Sequence, residues 1–146
     1  MNDKEQAKNI LFLCTGNSCR SQMAEGFAKK HWGNKYNFYS SGVKKHCLNP
    51  LAIKVMKEVG IDISSHQSKT TDELPDLKMD YVFTVCSGAN ENCPFFPGGK
   101  IIRVGSDDPP QLTKQMTDEN EILEVYRRVR DEIKIFISNI ENYISA

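Results

Sequence analysis

The chain has 146 residues, 39% of them hydrophobic and 26% charged, which suits one compact soluble domain around a single core. Its 19 basic residues match 19 acidic ones, so charge gives no footing for nucleic acid or an anionic membrane as partner. No apolar run approaches the roughly 18 residues of a membrane span, and the polar start MNDKEQAKN lacks the apolar centre of a signal peptide, so a cytoplasmic protein is expected.

Residues 9–13, NILFL, form a short continuous apolar run that suits a buried parallel strand. Ser21 is placed to cap a helix running to about Trp32, with Met23, Ala24, Phe27 and Ala28 at helical spacing. YNFYS, 36–40, alternates like a strand, and Gly42 follows as a breaker. Asn49 and Pro50 read as the cap and first residue of a second helix, which Gly60 stops. A short helix is expected after Thr71, a third strand at 79–85 and a fourth at 100–105. The last helix carries one apolar stripe from Ile122 to Ile144, and its charged face reads as solvated.

This order implies an α/β fold. A four-stranded, mostly parallel sheet flanked by helices and covered on both faces is expected, within a single domain spanning 1–146. Ligands of such sheets bind beyond the carboxyl ends of the strands. Cys14, Cys86 and Asp108 each follow a predicted strand, so the topology can bring them to one rim.

The turn CTGNSCR, 14–20, joins the first strand to the first helix. The free N–H groups and positive dipole end of a helix N-terminus point into it, which favours a tetrahedral oxyanion. Thr15, Gly16, Asn17, Ser18, Cys19, Arg20 and Ser21 are the candidate oxyanion-binding residues. Gly16 lets the backbone bend close, and Arg20 offers a planar fork of donors. The same field favours a nucleophilic thiolate at Cys14, and Ser21 can donate to its sulfur. The nucleotide-binding pattern G-x-x-x-x-G-K-[ST] is absent.

Five cysteines, Cys14, Cys19, Cys47, Cys86 and Cys93, are an odd number in a reducing compartment, which disfavours a structural disulfide framework. Paired C-x2-C spacings and nearby histidines are lacking, so no metal and no cofactor are expected. Asp108 and Asp107 are rival candidates for a general acid, and each could also cap a turn. His31, His46, His66 and Trp32 read as structural.

CTGNSCRSQMAEG resembles the oxyanion loop of the low-molecular-weight protein tyrosine phosphatase fold, and most of all its thioredoxin-coupled arsenate reductases. LNPLAIKVMKEVGIDIS, VCSGANENCP, SDDP and YRRVRDEI match too, so the resemblance covers nearly the whole chain. It implies a three-cysteine relay. Cys14 attacks arsenate while Asp108, placed before Pro109 as the acid of this fold is, protonates the leaving oxygen. Cys86 then attacks Cys14, arsenite departs, and Cys93 attacks Cys86 to leave a Cys86–Cys93 disulfide that thioredoxin reduces.

If 86–93 were helical, the two Cα atoms would lie about 10.5 Å apart along the axis, whereas a disulfide tolerates about 7 Å. The segment is therefore expected to be looped or to rearrange on oxidation. Cys19 is expected to pack, and Cys47 has no assigned role. Some members of the family carry a monovalent-cation site around the equivalents of Asn17, Glu25 and Ser40. Here Lys69 stands where an acidic partner is expected, and its ammonium can replace the cation. The alternatives are a tyrosine phosphatase on the same fold, a non-enzymatic oxyanion or redox sensor, and an arsenate reductase coupled to glutaredoxin and glutathione. A monomer is expected.

Overall fold

The computed structural model describes residues 7–14, 19–42, 48–75, 78–85, 99–104 and 107–144. Its strands are β1 (Asn9–Cys14), β2 (Asn37–Gly42), β3 (Tyr81–Thr84) and β4 (Lys100–Arg103). Its helices are α1 (Arg20–Trp32), α2 (Pro50–Glu58), α3 (Pro109–Leu112), α4 (Glu119–Ser138) and α5 (Glu141–Ile144), with a 3₁₀ turn at Thr71–Glu73.

The four strands form one parallel sheet in the order β2-β1-β3-β4. β1 is central and buried on both faces, as its unbroken apolar sequence requires. Ile10 and Phe12 point to the larger core, where α1, α2, α4 and α5 pack. Phe12 stacks on Phe38 and Phe83 at 5.8 and 5.9 Å and meets Phe136 edge-on, so one ring ties three strands to α4. Burying such a ring stabilises the fold by about 1.5–3 kcal/mol. Leu11 and Leu13 face a smaller cluster with Met79 and Val82, covered by Tyr39 and Leu74. The sheet is thus covered on both faces, with the helices on the larger core and, among the described residues, Tyr39 and the Leu74 that follows the 3₁₀ turn on the smaller one. β4 is an exposed edge strand rather than a buried one.

Local signals explain most element ends. Asn49 caps α2 by accepting from the N–H groups of Leu51 and Ala52, and Pro50 opens the helix. Gly60 follows with φ of 82°, the left-handed conformation that ends helices. Gly26 has a different reason. A Cβ there would lie 2.9 Å from Cγ2 of Ile63, so glycine lets α1 approach the segment after α2.

β3 and β4 are shorter than the sequence suggested, and three other differences have a visible cause. β2 extends to Gly42, because that residue pairs with Cys14 and bridges Thr70 instead of breaking the strand. The long apolar stripe is cut into α4 and α5 at Asn139, whose side-chain amide donates to the carbonyl of Ile135. Burial continues across the cut, with Ile137, Ile140 and Ile144 all in the core. Ser21 does not cap α1. The helix already begins at Arg20, and Cys19, whose side chain makes no capping bond, holds the cap position. No described helix is long and apolar enough to cross a membrane.

Candidate active site

The parallel register decides what meets at the carboxyl edge of the sheet. Leu13 pairs with Thr84, and the Val85 N–H donates to the Leu13 carbonyl. The Val104 N–H donates in turn to Thr84. The ends of β1, β3 and β4 are thus level. Cys14 closes β1, and Val85 stands immediately before Cys86. Cys86, Cys93 and Cys47 lie outside the described residues, as do Thr15, Gly16, Asn17 and Ser18.

Cys14 is buried, and its sulfur lies 2.9 Å from the Ser21 hydroxyl. The first turn of α1 places that hydroxyl against the strand end, because Ser21 points inward and not along the helix axis. Arg20 is only 3% exposed, which requires that its charge be held by partners. One guanidinium nitrogen donates to the Val85 carbonyl at 3.0 Å. Another lies 3.8 Å from Asp108 Oδ1. Arg20 therefore spans the ends of α1, β3 and the turn that opens α3. Of the two rival carboxylates, Asp108 faces Arg20, while Asp107 pairs outward with Arg128 of α4 at 3.1 Å.

Cys19 is buried beside this group. Burial, reinforced by Cys14 and Asp108, pushes its thiol well above the ordinary cysteine range, so it stays protonated. Its surroundings suit packing.

A second layer lies behind Ser21. Gln22 is fully buried, donates to the Gln67 carbonyl at 3.0 Å, and turns its oxygen toward Nδ1 of His66 at 3.0 Å. Burial holds the His66 pKa below its ordinary value, so the neutral ring donates from Nδ1 to that oxygen. Glu25 is buried and bonded to Ser40 and Lys29. Burial alone would raise its pKa, but bonds from Lys29 and Ser40, with the charges of Lys29 and Lys69, hold it below the ordinary carboxylate range. The Lys69 ammonium donates to the Gln67 carbonyl. Two ammonium groups thus bear on Glu25, and Lys29, which the sequence reading left out, makes the direct contact.

Sequence reasoning also missed the Val85 carbonyl, Gln22 and Arg128. Their partners lie 65, 44 and 21 positions away, and no local pattern announces such pairs. The charged face of α4 is not simply solvated. Arg130 is buried and bonds to Glu58 and the Val55 carbonyl.

Residues 9–145 match the model of the family described as low molecular weight phosphotyrosine protein phosphatase. The chain belongs to that family. Within it, the chain is 51% identical over 127 residues to an arsenate reductase of Halalkalibacterium halodurans, covering 86% of this chain and 89% of that one. Its fold is similar to an arsenate reductase solved in an oxidized state, with TM-score 0.75 and 34% identity. It is likewise similar to one solved in a phosphate binding state, with TM-score 0.71 and 34% identity. Both comparisons cover 94% of this chain and 98% of the other.

Proposed function

We propose that the protein reduces arsenate to arsenite through a three-thiol relay regenerated by thioredoxin. The observation that carries this reading is the position of Arg20, which joins the Asp108 carboxylate and the backbone next to Cys86 at the rim where Cys14 ends β1. The names of the similar proteins support the substrate, and the oxidized and phosphate-bound states of the solved relatives suit a redox enzyme for a tetrahedral oxyanion.

Arsenate binds over the 14–21 loop, where the N-terminal end of α1 and the Arg20 fork receive its oxygens. As the fork turns to the oxyanion, Asp108 is released toward the leaving oxygen. Cys14 sulfur bonds to arsenic, and that oxygen departs with a proton from Asp108. Ser21 donates to the sulfur while it carries charge. Cys86 attacks Cys14 sulfur, the sulfur–arsenic bond breaks, and its electron pair stays on arsenic, now arsenite. Cys93 attacks Cys86 and frees Cys14. Two electrons and two protons from the thioredoxin dithiol then reduce the Cys86–Cys93 disulfide. The enzyme acts as a monomer in the cytoplasm.

A phosphatase reading is favoured by the family description, since Cys14, Arg20 and Asp108 would suffice for phosphoryl transfer. It leaves Cys86 and Cys93 idle, and DDPPQL, 107–112, supplies no aromatic residue to line a phosphotyrosine site.

The deciding experiment measures arsenite released with thioredoxin, thioredoxin reductase and NADPH. Wild type should turn over, and Cys93→Ser should release at most one arsenite per enzyme. Equal multiple turnover by both would remove Cys93 from the mechanism. Aryl phosphate hydrolysis without arsenite would establish the phosphatase instead.

A further inference from the structure

Two carboxylates stand side by side before α3, and only one faces the rim. The backbone at Asp108 is extended, with φ −94° and ψ 103°, so consecutive side chains diverge. Asp108 meets Arg20, and Asp107 meets Arg128 on the far side. Arg128 is itself steadied from within α4, where its second nitrogen bonds to Glu132 one turn on at 3.0 Å. It thus presents a fixed cation to the loop.

We propose that Arg128 is a positioning residue that selects which of the two adjacent carboxylates faces the oxyanion. It acts through Asp107 and touches no substrate. The inference rests on the oxyanion-site reading above and deepens it. If Asp107 turned inward, it would compete for Arg20, which the oxyanion needs, and place a second negative charge beside a multiply charged anion. The pair is 46% and 52% exposed, too open to serve as a stability device. Its effect lies in orientation, and it weakens as salt screens it.

The test is orthophosphate binding by calorimetry at low ionic strength, using wild type, R128Q, R128Q/D107N and R128Q/E132Q. R128Q should bind about three- to tenfold more weakly, because the freed carboxylate opposes the anion. R128Q/D107N should return to within about twofold of wild type, since the offending charge is gone. R128Q/E132Q has the same net charge but leaves Asp107 free, and should stay as weak as R128Q. All four should share one thermal midpoint. Unchanged binding by R128Q, or equal rescue by D107N and E132Q, would overturn the selection while the oxyanion reading stands. Failure of wild type to bind orthophosphate would overturn that reading and the selection with it.

Discussion

The Ser21 hydroxyl lies 2.9 Å from the sulfur of Cys14, a contact made because α1 starts one residue before Ser21 and turns its side chain back onto the end of β1. The serine thus faces the proposed nucleophile, and the cap position of the helix belongs to Cys19.

Ser21→Ala should therefore impair chemistry more than folding. In the proposed mechanism the bond is made to an attacking thiolate, and losing such a bond costs about 1.5–3 kcal/mol, or roughly a ten- to hundredfold drop in kcat/KM for arsenate. The thermal midpoint should move by no more than about 4 °C. Steady-state kinetics and a melting curve on the same sample check both, and an unaltered rate would discard the contact as functional.

The opposed directions of Asp107 and Asp108 separate their roles. Asp108→Asn should slow single-turnover arsenite release by about 10²–10⁴-fold, the range for a general acid. Asp107→Asn should change it by less than about threefold, because that side chain points to Arg128. The reverse ranking would move the acid to Asp107.

Glu58 ties α2 to α4 through Arg127 and Arg130. Hydrogen bonding from Arg127 outweighs the opposing effect of burial and, with Arg130, lowers its carboxyl pKa to about 2. An unfolded glutamate titrates near roughly 4.3, so the folded value is the lower one. The stabilisation is then complete above the unfolded value and is lost as pH falls through about 2. Wild type should lose thermal stability between these limits, and Glu58→Gln should show a flatter acid limb and a lower midpoint at neutral pH. The side chain is about one-third exposed, so the difference is modest. Parallel acid limbs would show that Glu58 carries none of it.

Gly26→Ala tests the close approach of α1 to Ile63. Alanine would gain about 1 kcal/mol in helix propensity, but its methyl must displace a β-branched side chain, which costs about 1–3 kcal/mol. Urea denaturation should therefore show net destabilisation of up to about 2 kcal/mol. A variant more stable than wild type would mean that this region yields easily.

The parallel α/β sheet, the Asn49–Pro50 start of α2 and the end of β1 at Cys14 were legible in the sequence. Each is written in a few consecutive residues, because periodicity, caps and breakers act over one or two turns of chain. Ser21 was legible in two ways, as a cap and as a donor to the Cys14 sulfur. Packing selects the second, setting the hydroxyl against Cys14.

The chain by itself thus determined a cysteine at the end of a strand with a helix soon after it, and two carboxylates ahead of Pro109. Tertiary structure alone decided that Arg20 joins Val85 and Asp108, that Gln22 backs onto His66, and that Asp107 belongs to Arg128. The physical reason is that these partners share no local geometry. They meet because parallel pairing levels the ends of β1, β3 and β4, and because α4 packs where its arginines reach α2 and the turn before α3.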